Sequence, residues 1–203
     1  MKLYYAHPSR AVRPRWLLEE IGAPYDLVRL DLSAGEQKRP EYLALNPNGT
    51  VPTLVDGDLA LFESAAICQY LADKFPERGL APPVGTPARG LYYQWVQYAM
   101  SNLDPQVIAI FHHTIFLPEV ERIPAIAEHS RQQLAASLAV VERALTGRPY
   151  IVGDDFTAAD VVLGSTLVWA RELGFVRRTD SPATVGYLER LTARPGFQRA
   201  AAD

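Results

Sequence analysis

Asn46-Pro47-Asn48-Gly49-Thr50-Val51-Pro52-Thr53-Leu54-Val55-Asp56-Gly57-Asp58-Leu59-Ala60-Leu61-Phe62-Glu63-Ser64 holds a proline-led strand, a tight turn, a second strand and a helix start. Pro52 has no amide hydrogen, so it belongs at the head of a strand and not inside one. That leaves the main chain of Val51 free to pair with a ligand instead of a neighbouring strand. Thr53 to Val55 and Leu59 to Phe62 flank Asp56-Gly57-Asp58, which predicts a hairpin. Glu63-Ser64 then opens a helix to about Phe75, with Ile67, Cys68, Leu71 and Phe75 on its buried face and Pro76 ending it. The first amides of a helix are unpaired and carry the positive end of its dipole. Ser64 as cap therefore suits a carboxylate, and Glu63 beside it suits an ammonium. Taken alone, the pair also reads as a capping serine next to an acid.

Working outward, Lys2 to Tyr5 reads as a strand, Ala11 to Ile21 as a helix ending near Gly22, and Tyr25 to Leu30 as a second strand followed by a polar loop. The order is βαβ, then ββα. It fits a small thioredoxin-like layer, and other small mixed folds satisfy it too. Gly79-Leu80-Ala81-Pro82-Pro83-Val84-Gly85-Thr86-Pro87 is dense in proline and glycine and reads as a linker. Beyond it, Ala88 to Phe116, Ile123 to Leu145, Ala158 to Leu173 and Thr184 to Arg194 have helical spacing, interrupted at Pro118, Gly147-Arg148-Pro149 and Gly174. The expected domains are 1–77 (α/β), a linker over 78–87, and an all-helical 88–203.

Composition sets bounds. The 203 residues are 48% hydrophobic and 21% charged, enough for a substantial core. Twenty basic against 23 acidic residues give a net charge of −3, without the basic excess that nucleic-acid binding requires. One cysteine forms no internal disulfide, and no signal core or run long enough to cross a membrane is present. The expected location is a reducing cytoplasm, with neither nucleic acid nor membrane as partner.

Asn46-Pro47-x-Gly49-x-Val51-Pro52-x-Leu54, the hairpin, and Glu63-Ser64-x-Ala66-Ile67-x-x-Tyr70-Leu71 are similar to the glutathione site of the cytosolic glutathione S-transferase superfamily. The likeness extends upstream through Trp16-Leu17-Leu18-Glu19-Glu20-Ile21-Gly22 and downstream to Thr157-Ala158-Ala159-Asp160, so it covers essentially the whole chain. It implies an N-terminal thioredoxin-like domain with a C-terminal helical bundle, glutathione as substrate or cofactor, no metal, a homodimer, and transfer of the glutathione thiolate to small hydrophobic electrophiles in detoxification. A glutathione-dependent isomerase or dehalogenase is the alternative among enzymes. A non-catalytic binding or regulatory module of the same fold is the alternative outside them.

A free thiol, at a pKa of about 8.5, is only a few per cent thiolate at neutral pH, so a hydroxyl near the start of the first helix is needed to activate it. Ser9 aligns with the catalytic serine of the serine-type classes, and Tyr5 is the rival hydroxyl. Arg10 stands where beta-type classes carry a cysteine, which argues against mixed-disulfide chemistry and makes Arg10 a candidate to pair with a ligand carboxylate. The Ser-Ser-Cys signature of the zeta class is absent. By position, the resemblance assigns glutathione contacts to Gln37 or Lys38, Val51, Pro52, Glu63 and Ser64. Asp104 is expected to reach the glutathione amine of a partner subunit. Phe111, His112 and Phe116 are expected to line the electrophile pocket, with core packing the plainer role for the phenylalanines. Cys68 reads as core, the adjacent His112-His113 lack acidic or cysteine partners at metal spacing, and Thr157 to Asp160 reads as a structural capping box.

Overall fold

The computed structural model describes residues 1–202, which form two compact units, one comprising Met1–Ala81 together with the chain from Ala193 onward, the other Pro82–Thr192. In the first unit, β1 (Lys2–Tyr5) leads to α1 (Val12–Ile21) and β2 (Asp26–Arg29). A 3-10 turn (Glu36–Lys38) and the single-turn α2 (Pro40–Leu43) follow, then β3 (Thr53–Asp56), β4 (Leu59–Phe62) and α3 (Ser64–Lys74). The strands form one sheet in the order β2-β1-β3-β4. β1 runs parallel to β2, with Leu3 opposite Leu27, and antiparallel to β3, with Leu3 opposite Leu54. The stretch from Asn46 to Ser64 therefore delivers a central strand, β3, and an edge strand, β4, that starts from its turn at Gly57.

Trp16, Leu17, Leu18 and Ile21 of α1 and Ile67, Cys68 and Leu71 of α3 are buried with Leu3 and Leu54, the apolar stripe that a helix on a sheet must cover. α3 ends one residue earlier than expected: ahead of Pro76, Phe75 takes φ −119° and ψ 64°, outside the helical region, although its amide still donates to Leu71 O. Phe75 is thus only half-buried.

The helical domain expected over 88–203 is shorter. Its last part, α9 (Pro195–Ala201), packs on α1 and belongs to the first unit. The Trp16 and Phe197 rings meet edge-on at 5.0 Å. Arg194 grips both carboxylate oxygens of Glu20 at 2.9 Å, and the Trp16 indole N–H donates to the same carboxylate. Arg199 donates to Glu19 at 2.6 Å. A Cβ at Gly196 would meet the Glu20 side chain at 2.6 Å, so the close approach needs glycine there.

The second unit contains α4 (Pro87–Tyr98), α5 (Asp104–Phe111), α6 (Pro124–Leu145), α7 (Ala158–Glu172) and α8 (Pro182–Thr192). The continuous helical run expected to Phe116 is present, but it widens into π-helix over Ala99–Leu103 and His112–Phe116. Leu103, Val107, Ile110, Leu134, Leu163 and Leu167 lie in its core. The Thr157 to Asp160 capping box is formed at the head of α7. No helix among the described residues is long and apolar enough to cross a membrane.

Candidate functional site

Two loops and two helix starts of the first unit carry the residues singled out in the sequence. After β1 the chain turns through a cis His7–Pro8 peptide to Ser9. The Ser9 hydroxyl donates to Ala6 O at 2.5 Å and accepts the amide of Ala11 at 3.1 Å. It thus satisfies an orphan donor ahead of α1, whose own N-cap, Ala11, contributes no side-chain bond. Ser9 and Arg10 are partly exposed, whereas Tyr5 is buried with the Arg15 guanidinium 5.2 Å from its ring centre.

The second loop runs from Asn46 to Thr53 and is held from beneath. Asn46, fully buried, donates from its amide to Thr50 O at 2.8 Å and to Thr53 Oγ1 at 3.2 Å, and accepts the amide of Asn48. Tyr42 donates to Thr50 O at 2.6 Å. Its phenol also lies 2.7 Å from Thr53 Oγ1. Burial raises the Tyr42 pKa, against these hydroxyl and amide contacts. The Val51–Pro52 peptide is cis. Among the described residues, the N–H and C=O of Val51 enter no backbone hydrogen bond, because the β1–β3 register stops at Tyr4 opposite Thr53. The main chain at Val51 is thus left unpaired beside the cis peptide.

Lys38 reaches over this loop and donates to Asn48 O at 3.1 Å. A Cβ at Gly49, where φ is 58°, would meet Lys38 Nζ at 2.7 Å and Gln37 O at 2.8 Å, so the glycine lets the two segments touch. Gln37 donates to Leu32 O at 3.3 Å, and its side-chain oxygen is buried without a partner.

At the start of α3 the expected cap is displaced by one residue. Glu63, not Ser64, occupies the N-cap position, with no side-chain cap, and Ser64 is the first helical residue. Glu63 is exposed and has φ 73° and ψ 108°, the one non-glycine positive φ among the described residues. Ser64 is buried, and Arg13 Nη1 donates to its hydroxyl oxygen at 3.0 Å. Arg13 was not singled out in the sequence. Its signal was a cation sharing the face of α1 that carries Trp16 and Leu17. One turn along α3, burial pushes the Cys68 thiol up to about 12, with the Arg13 charge opposing, which leaves Cys68 an inert core residue.

In the second unit, Phe111, His112 and Phe116 form an aromatic cluster. Phe111 and Phe116 lie 5.8 Å apart, the His112 and Phe116 rings stack at 5.2 Å, and Trp169 meets Phe111 edge-on at 5.4 Å. Phe116 is exposed. His113 points elsewhere, accepting the amide of Ile123 at its Nδ1. Asp104 is 3% exposed and accepts the Thr166 hydroxyl at 3.2 Å, which links α5 to α7 within the unit. Among the described residues, no group of three or more His, Cys, Asp and Glu side chains is placed to hold a metal ion.

Residues 1–73 match the glutathione S-transferase N-terminal domain and residues 124–190 the glutathione S-transferase C-terminal domain. The chain is 34% identical to glutathione S-transferase 3 of Zea mays over 207 residues, covering 100% of this chain and 93% of the relative. A bacterial transferase, BphK, solved as a ternary complex, superposes with a TM-score of 0.87 at 31% identity, covering 98% of this chain and 97% of that one. A family member from Pseudomonas fluorescens with two glutathione molecules bound gives 0.87 at 29% identity, covering 98% and 91%. With both domain models and a full-length relative in agreement, the chain belongs to the glutathione S-transferase family.

Proposed function

We propose that the first unit binds glutathione in extended form and activates its thiol for attack on a small hydrophobic electrophile. The Val51 N–H and C=O pair with the cysteinyl residue, Pro52 fixing the end of that main-chain edge. Glu63 takes the ammonium and the head of α3 at Ser64 the carboxylate of the γ-glutamyl group. Lys38 and Gln37 lie toward the glycyl end, and Arg10 adds positive charge beside the thiolate.

Ser9 is the hydroxyl that donates to the sulfur. Its single proton points to Ala6 O in the free protein, so ligand binding exchanges that carbonyl for the thiolate. Lowering a thiol pKa by two units takes about 2.7 kcal/mol. One hydrogen bond to a charged acceptor supplies about 1.5–3 kcal/mol and a helix N-terminus about 0.3–1 kcal/mol. Tyr5, buried beneath Arg15, is the second choice for this task. The aromatic cluster Phe111, His112 and Phe116 offers the electrophile an apolar surface. A homodimer working in the cytoplasm completes the reading.

One observation carries it. The Arg13 to Ser64 hydrogen bond ties the start of α1, just past Ser9, to the start of α3, so the hydroxyl meant for sulfur and the helix start meant for carboxylate belong to one scaffold. The test is the ultraviolet absorbance of bound glutathione thiolate, followed across pH in wild type and Ser9→Ala. A depressed thiol pKa that returns toward its solution value in the variant supports the reading. A shift that survives in Ser9→Ala moves the role to Tyr5 or the helix amides. Binding without any shift favours a non-catalytic module, and no binding refutes the proposal.

A further inference from the structure

Arg13 is 2% exposed and donates from Nη1 to the buried Ser64 hydroxyl across a sequence separation of 51 residues. A serine hydroxyl has one proton to give and two lone pairs to offer. Once a guanidinium N–H occupies a lone pair, that side of the oxygen is closed to use as a donor, and the hydroxyl proton is turned away from α1. At the first residue of α3, where backbone amides are already unpaired, this adds a directed O–H to the same anion-attracting end.

The alternative for such a serine is to bend back onto its own main chain, the competition that makes serine a cap or a turn former. Neither Glu63 nor Ser64 supplies a side-chain cap to α3, so Ser64 is held in a non-capping pose by a residue from another helix. The guanidinium also stands behind the helix start as fixed positive charge, close enough to α3 for its field to act on Cys68 one turn further on.

We infer that Arg13 is a positioning residue for glutathione: by donating to Ser64 Oγ it aims the Ser64 hydroxyl proton at the ligand's γ-glutamyl carboxylate. This rests on the reading of Ser64 as a glutathione contact. Arg13 touches no reacting atom, so its removal raises the glutathione concentration needed for half-saturation and leaves that for the electrophile unchanged.

The experiment is a double-mutant cycle read by calorimetric titration with glutathione, on wild type, Arg13→Met, Ser64→Ala and the double variant, with Arg13→Lys as the conservative replacement. Arg13→Met is expected to weaken binding about tenfold when Ser64 is present and less than about twofold when it is alanine. Arg13→Lys, which keeps a charged donor, recovers most of the loss. Steady-state rates with a dinitrohalobenzene are expected to show KM for glutathione rising and KM for the electrophile unmoved. If the two losses simply multiply, Arg13 acts through the stability of α1 and the inference is overturned. If Ser64→Ala binds glutathione as wild type does, the inference also falls while glutathione binding stands. If wild type does not bind glutathione, the proposed function itself has failed. Should Arg13→Met not fold, the same cycle built on Arg13→Gln, which removes the charge, decides: a loss in Arg13→Gln that disappears in the Ser64→Ala background supports the inference, and no loss, or one that persists there, overturns it.

Discussion

The phenol of Tyr187 donates to Asp160 Oδ1 at 2.9 Å, joining α8 to the head of α7 in an interior where both residues are fully buried. The other contacts of that carboxylate are the amide of Ile151 and the amide and hydroxyl of Thr157. Burial raises the Asp160 pKa against all of these donors, and burial together with the Asp160 charge raises that of Tyr187.

Removing such an acceptor strands several donors at once. Asp160→Ala is expected to cost about 3 kcal/mol or more and Tyr187→Phe about 1–2 kcal/mol. In the Asp160→Ala background, Tyr187→Phe should add little, since the partner is already gone. Urea unfolding of the four proteins measures all three values, and full additivity would mean that the two side chains act independently.

Glu142 of α6 serves α8 in a similar way from outside the helix. It accepts the amides of Ala183 and Thr184 at 2.8 Å and the Thr184 hydroxyl at 2.7 Å. Partial burial pushes its carboxyl up, but the hydrogen bonds from Thr184 and Ala183 outweigh this and leave it below its ordinary value. An acid whose folded pKa is depressed stabilises above its unfolded value and loses that contribution as pH falls through the folded one. Glu142→Gln is therefore expected to lose about 1–2 kcal/mol at neutral pH. The gap to wild type should close below about pH 4. Thermal unfolding across pH tests this, and a gap that stays constant would contradict it.

Glu63 holds a backbone conformation that L residues avoid, at a cost on the order of 1–3 kcal/mol. Glu63→Gly is expected to raise stability by about 1 kcal/mol while weakening glutathione binding, because the carboxylate is lost. Chemical unfolding and calorimetry on the same preparation separate the two effects. A variant that gained no stability would show that neighbouring contacts, not strain, set the Glu63 geometry.

Much of this was readable in advance because it is local. The β3–β4 hairpin follows from Asp56-Gly57-Asp58, the α7 start from Thr157 and Asp160, and the inertness of Cys68 from its place on an apolar helix face. What escaped reading depends on partners remote in the chain. The short helix after Arg194-Pro195 owes its place to Trp16 and Glu20, on α1. Arg13 looked like any helix arginine until α3 was set beside it. The displacement of the cap from Ser64 to Glu63 is a single positive φ, which a glutamate gives no hint of. The π turns after Tyr98 and Phe111 keep helical spacing over so few residues that no periodicity separates them from α-helix.

The return of α9 to α1 makes the first unit discontinuous: its two parts are translated on either side of the whole helical unit. While the second unit is being made, the Trp16 face lacks its Phe197 cover and Glu20 lacks Arg194. A gene cut after Ala81 would encode a sheet-bearing fragment with that face bare, whereas a cut that carried residues 193–202 across to the first piece would not. The natural seam for dissecting or recombining this protein is therefore a pair of cuts, near residues 81 and 193, that lifts the helical unit out as an insert.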